Sequence, residues 1–295
     1  MKKTALATTL TALYMFTAQA ATPFSYTLKA NNTLGLYLGG QIWQSEANGF
    51  FGELNTLSDF NLKKQQQINY FVAVEHPYSL FPNVRIANTT LDTTGKKLLT
   101  QALSFGVESF AIGDNVNARF NVSYVDYTLY YELFDSSNIS FDLGLTVRDF
   151  NGAVTINGSK ITEDTQPNRD GWHESCYDEN GELKGDCSPN STSNSVTLTG
   201  NIKTDDIVPM LYVATNISLP LTGLNVFVQG DYSIKDEYAH YDYQVGFSYN
   251  LVRNSRGNFG LTLGYKVVEM QLEDVNNLST DLEFKGAFIG AIAHF

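Results

Sequence analysis

The 295-residue chain holds no run of about 18 consecutive apolar residues, so it offers no membrane-spanning helix. Charge is scarce as well. Asp, Glu, Lys and Arg make up 17% of the residues, against about 25% in ordinary soluble domains. Positive charge is scarcest, with 19 Lys and Arg against 31 Asp and Glu, a formal net of −12. Such a chain repels phosphate, which argues against nucleic acid as a partner. Divalent cations or basic groups suit an acidic exported surface better. There are two cysteines, two tryptophans and four histidines. No HExxH, clustered Cys/His set or serine-nucleophile motif occurs among them, so no metal or cofactor is expected.

Aromatic side chains, by contrast, are plentiful: 19 Phe and 17 Tyr. The N-terminal end explains part of the composition. Lys2 and Lys3 precede a short apolar stretch from Ala5 to Phe16, and Ala18-Gln19-Ala20 fits a small-x-small cleavage pattern. Residues 1–20 read as a secretory signal peptide, leaving 21–295 as the exported protein. A membrane anchor fits poorly, because the apolar stretch falls short of the ~20 residues a bilayer span needs. In an oxidising compartment Cys176 and Cys187, ten residues apart in one polar segment, read most simply as a disulfide. The other reading is a metal pair with His173 nearby.

Read at period two, the chain yields a series of strands. In residues 33–45, Leu34, Leu36, Leu38 and Ile42 share one face, and Tyr37, Gln41 and Trp43 the other. Residues 68–77 and 83–93 flank the proline-rich turn "PYSLFPN". In 118–134 an apolar face of Val125, Tyr127, Leu129, Tyr131 and Leu133 alternates with polar residues. The turn "DSSN" leads into "ISFDLGLTVRDF", where the pattern repeats. Candidates at 205–219, 223–235, 238–252, 256–271 and 279–295 bring the total to ten, with eight as the other count. Connections alternate between short turns and longer loops at 46–67, 94–117, 152–204 and 272–278. The segment 94–117 keeps some alternation and reads as a hairpin above the membrane or as a helix.

The expected fold is therefore an all-β, antiparallel transmembrane β-barrel of about ten strands. Its long extracellular loops include the 152–204 region. An exported chain that enters hydrocarbon without a helix has to close its backbone hydrogen bonds in a barrel. A soluble β-sandwich also alternates, but its strands are shorter, about 5–6 residues.

The chain ends "GAFIGAIAHF". Ile289, Ala291, Ala293 and Phe295 share one parity and would face lipid, while Gly286 and Gly290 take the other. An alternating final strand closed by Phe resembles the recognition signal of the outer-membrane barrel assembly machinery. Three stretches, "GLYLGGQIWQSEANGFFGE", "NYFVAVEHPYSLFPNVR" and "DYTLYYELFDSSNISFDLGLTVRDFNG", are joined by "PMLYVATNISLPLTGL" and the terminal "HF". Together they resemble a proteobacterial family of outer-membrane β-barrel proteins of unassigned biochemical function. The resemblance implies a fold and an outer-membrane location, with outer-membrane lipid and lipopolysaccharide as surroundings. It implies no catalytic residue. The cysteine-bearing segment lies outside the resemblance.

Candidate chemistry is sparse. His240, with Asp242 on its face and Asp236 nearby, is the one histidine placed at an outer rim, where a His with carboxylates activates water. The plainer reading is a set of hydrated rim residues. His76 and His294 fall at the opposite end. By parity the lumen holds Glu75, Arg85, Asp126, Glu132, Asp142, Arg148, Asp231, Asp242 and Lys266. These residues either line a narrow cation-preferring path or pair into a plug, as the small interior of a ten-stranded barrel favours. Acidic residues at 178, 179, 182 and 186, with Glu273, Asp274 and Asp281, lack the ligand spacing of an EF-hand. Trp43 and Tyr37 are lumen residues by parity or else interface anchors. The expectation is a loop-presenting barrel without catalysis, with a narrow channel or a barrel enzyme as alternatives.

Overall fold

The computed structural model describes residues 34–54, 56–136, 138–163, 193–220, 222–234, 240–254 and 257–295. Residues 1–20, Cys176 and Cys187 lie outside them, as do the acidic residues at 178–186 and Asp236. Among the described residues the regular structure is entirely β. The strands are β1 (Gly35–Gly52), β2 (Gln65–Glu75), β3 (Asn83–Leu98), β4 (Leu103–Phe105), β5 (Glu108–Phe110) and β6 (Asn115–Asp135). They continue with β7 (Ile139–Glu163), β8 (Ser193–Leu219), β9 (Leu224–Ser233), β10 (His240–Asn254), β11 (Gly257–Val275) and β12 (Leu278–His294).

Ten of them close an antiparallel barrel in the order β1-β12-β11-β10-β9-β8-β7-β6-β3-β2. The seam is the β1–β12 ladder, running from Tyr37↔His294 to Gly52↔Ser279. Phe295 completes it: its N–H donates to Leu36 O at 2.9 Å and its carbonyl accepts from Leu36 N at 3.0 Å. The parity expected for the last strand holds. Ile289 pairs with Ile42, Ala291 with Gly40 and Ala293 with Leu38, and Ile289 and Phe295 stand exposed on the outer surface. Gly286 is small for a different reason than lumen width. A Cβ there would sit 1.9 Å from the Gln44 carbonyl oxygen across the seam.

Two loop expectations change. β7 and β8 stay paired out to Glu163↔Ser193, so both flanks of 152–204 are strand. The 272–278 connection is a two-residue turn, with Asn276 and Asn277 at φ 53° and 66°. Two left-handed residues in succession make a hairpin turn that suits the strand twist, and asparagine tolerates it. The 94–117 segment is the expected hairpin beyond the belt, and its helix alternative falls. β3 and β6 pair as far as Leu98↔Asn115, and β4–β5 form a separate small hairpin. Both chain ends of the barrel lie on the side of the short turns.

The outer face carries an apolar belt on the short-turn side. On β7 it is Ile139, Phe141, Leu143, Leu145 and Val147; on β11 it is Phe259, Leu261, Leu263 and Tyr265. Ile139, Leu145, Val147 and the four β11 residues are 41–59% exposed, and Phe141 and Leu143 are half-buried. Beyond the belt the same outward parity turns polar: Gln44, Glu46 and Asn48 on β1, Asn121, Arg119 and Asn117 on β6, Asp149 and Asn151 on β7. The inward parity exchanges in the opposite sense. Polar residues fill the barrel behind the belt, and a buried apolar core fills it above. That core includes Trp43, Phe51, Phe120, Phe150, Val154, Met270 and Phe284, each 0% exposed. Physically, the face toward hydrocarbon must be apolar and the face toward water polar, and the interior takes the complement in each section.

Gly286→Val is expected to stop barrel closure, abolishing the mobility difference between boiled and unboiled samples on gels. Gly40→Ala, whose nearest new contact is 3.9 Å, is expected to keep it.

Candidate functional site

Three layers stack inside the barrel. Nearest the long loops lies the apolar core. Phe60, from the β1–β2 connection, stacks on Phe51 at 4.6 Å. Phe51 meets Phe120 at 5.9 Å, and Phe120 meets Phe284 at 5.9 Å. These rings come from β1, β6 and β12 and from a loop, so they bridge the lumen. Leu103, Phe105 and Phe110 of the β4–β5 hairpin are buried in the same cluster. Trp43 is therefore a lumen residue, as its parity suggested.

Beneath the core is a layer of buried ions. Arg148 on β7 makes a two-pronged contact with Asp126 on β6: Nε donates to Oδ1 at 2.7 Å and Nη2 to Oδ2 at 2.9 Å. Nη2 also reaches Asp242 Oδ2 on β10 at 3.3 Å. Lys266 Nζ donates to Asp242 Oδ1 at 2.5 Å, and Tyr124 Oη donates to Oδ2 at 2.8 Å. The guanidinium lies over the Tyr124 ring, 3.7 Å from its centroid. Thr146 Oγ1 donates to Asp231 Oδ1 at 2.6 Å and is itself 2.9 Å from Thr128 Oγ1. Each charged member is at most 6% exposed. Planar, two-pronged geometry with further hydrogen bonds is what makes a buried ion pair tolerable.

The third layer, on the short-turn side, is a cavity of about 210 Å3 lined by Tyr37, Glu75, Arg85, Tyr130, Asp142 and Tyr212, among others. Tyr130 Oη donates to Glu75 Oε1 at 3.0 Å. Glu132 pairs directly across from Asp142 on the β6–β7 ladder. Arg85 departs from the expectation that all the lumen cations pair with carboxylates. Arg148 and Lys266 do so, whereas Arg85 lies over the Phe71 ring, 4.5 Å from its centroid.

The expected lumen set thus divides in two. Asp126, Arg148, Asp231, Asp242 and Lys266 form the ion layer, and Glu75, Arg85, Glu132 and Asp142 gather at the cavity end. Sequence reasoning missed Tyr124, Thr128 and Thr146, which complete the ion layer. All three have lumen parity but carry no formal charge to draw attention. His240 is corrected outright. It is 0% exposed, its ring 5.8 Å from Phe150 within the barrel, so it meets no surface substrate. His76 sits in the β2–β3 turn, with Nε2 3.1 Å from Pro82 O, and His294 stacks on Tyr37 at 4.1 Å. No group of three or more His, Cys, Asp or Glu among the described residues is arranged to hold a metal ion.

No protein-family model matches the chain, and no curated protein sequence matches it. The proteobacterial family named above therefore remains a resemblance of sequence stretches. Solved barrels do match in outline. The outer membrane protease OmpT of Escherichia coli is 9% identical over 92% of this chain and 99% of its own, with a TM-score of 0.48. The attachment invasion locus protein Ail of Yersinia pestis is 11% identical over 89% and 99%, with a TM-score of 0.30. The transport unit of the Escherichia coli autotransporter AIDA-I is 8% identical over 98% and 96%, with a TM-score of 0.37. The barrel assignment rests on the closed ladder of this chain, and no activity passes to it from these structures.

Arg148→Met strips the guanidinium from two buried carboxylates and is expected to cost about 3–5 kcal/mol. Arg119→Met breaks the Arg119–Asp92 pair at 2.8 Å, whose Arg side chain is 57% exposed, and is expected to cost under about 1 kcal/mol. Urea unfolding in lipid vesicles reads both.

Proposed function

We propose that this chain is an integral β-barrel of the bacterial outer membrane, closed to solutes, that serves as a scaffold for its extracellular connections. One observation carries the reading: the aromatic core that bridges the lumen above the ion layer. A path for ions needs continuous water or polar groups. Here the described residues of the long-loop half meet across the barrel as buried Phe, Trp, Val and Met. The narrow cation-preferring channel is accordingly the second reading and not the first. The acidic lumen residues that suggested it are engaged in the ion layer or gather around the cavity beneath the core.

The surroundings follow from the belt. Outer-membrane lipid covers the apolar ring, and lipopolysaccharide meets the polar outer face above it. The signal at residues 1–20 directs export, and the terminal strand ending at Phe295 engages the barrel assembly machinery during insertion. The disulfide Cys176–Cys187 staples the longest connection. No catalysis is assigned, because the single histidine offered for surface chemistry is interior.

Planar lipid bilayers test the reading. The wild-type protein is expected to give no conductance steps, and the triple variant Phe51→Ala, Phe120→Ala, Phe284→Ala to give steps or flicker as the core opens. Steady, cation-selective steps from the wild type would replace the scaffold by the channel.

A further inference from the structure

The cavity on the short-turn side has a charge arrangement that the scaffold role does not use. Arg85 is 6% exposed, yet among the described residues it takes part in no ion pair or hydrogen bond. Its guanidinium lies against the face of Phe71. Burying a guanidinium without an anionic partner is unfavourable, and this one borders a cavity of about 210 Å3. Glu75 and Asp142 line the same cavity, with Tyr130 and Tyr212 alongside.

Each simple class of ligand meets an objection. An anion drawn to Arg85 would share the cavity with two carboxylates. A cation drawn to Glu75 or Asp142 would lie beside the guanidinium. A molecule carrying both charges, on two groups attached to one carbon, satisfies both sides. The volume, below the ~300 Å3 of ordinary drug-sized pockets, suits a small molecule. The ion layer closes the cavity toward the long loops, so its entrance lies on the short-turn side, which faces the periplasm in the proposed orientation.

We propose that this cavity is a binding site for a free α-amino acid. The carboxylate pairs with Arg85, held flat by Phe71. The ammonium pairs with Asp142 and Glu75, and the Tyr130 and Tyr212 rings flank the side chain. With two carboxylates and one guanidinium lining the cavity, a basic amino acid such as lysine is preferred over a neutral one. The site is a dead end, so it binds without conducting. It does not depend on whether the outer half is sealed.

Isothermal titration calorimetry on the folded, detergent-solubilised protein tests this with L-lysine, L-alanine, 1,5-diaminopentane and glutarate. Lysine is expected to bind best and alanine next, with the diamine and the diacid at least tenfold weaker than lysine. Arg85→Met is expected to weaken lysine at least tenfold and to strengthen the diamine, since only carboxylates then remain. A gain for one ligand beside a loss for another separates the effect from misfolding, and unchanged gel mobility of the unboiled variant checks the barrel. Absence of amino-acid binding by the wild type would overturn the proposal. So would lysine binding that survives both Arg85→Met and Asp142→Asn. Conductance of the wild type, which would remove the scaffold reading, leaves this result legible on its own.

Discussion

Backbone satisfaction in hydrocarbon is the constraint on which everything else in this protein rests. Each peptide group in the belt has only a neighbouring strand to bond to, and an unpaired group there costs several kcal/mol. Ten antiparallel strands meet that demand only if the last returns to the first. The seam is therefore as much a part of the fold as any interior strand. Phe295 and Leu36 exchange both of their backbone hydrogen bonds, so the ladder reaches the final residue. The small residues along the seam follow from the same demand. At Gly286 the opposing backbone comes so close that no side chain fits.

Closure creates an interior, and the surroundings of the outer face decide what fills it. Behind the belt the strands present Asp, Arg, Lys, Thr and Tyr inward, and those groups must satisfy one another. Arg148 and Lys266 do so with Asp126 and Asp242. Above the belt water bathes the outer face, so the apolar complement turns inward and packs as in a soluble protein. The ion layer sits at the junction of the two sections. Its members are buried between an apolar core on one side and the cavity on the other, which makes their mutual geometry strict.

Much of the architecture was legible in the sequence because a membrane barrel writes its pattern at period two. The belt residues of β6 and β7 and the terminal strand were read with the right parity. The length of the strands was not. The signal was there: along β6 the apolar parity runs Val116, Ala118, Phe120, Val122 and then shifts to Val125, Tyr127, Leu129. A one-residue change of apolar phase without a bulge marks the level at which hydrocarbon gives way to water. Residues beyond such a shift look like loop when a single phase is assumed, as the stretches flanking 164–192 did. His240 was misplaced for the same reason. A strand end was taken for a rim, whereas the wall continues past it on neighbouring strands. The division of the lumen cations into paired and unpaired was beyond the sequence, since parity gives the face and not the contact.

The β7–β8 hairpin runs from the belt at Val147 out to Glu163 as an unbroken ladder, some 50 Å along the strand at ~3.3 Å per residue. In mechanical terms it is a mast rooted in the barrel wall. A pull on its tip along the strand direction loads many backbone hydrogen bonds in shear, so they resist together instead of opening one at a time. The load enters the wall where β7 meets β6 at Gly158↔Val116 and runs down that ladder to Arg148, which is tied to β6 through Asp126 and across the lumen to β10 through Asp242. The ion layer is thus also the footing of the mast. Force applied by whatever grips the outermost loop is shared with the far side of the barrel.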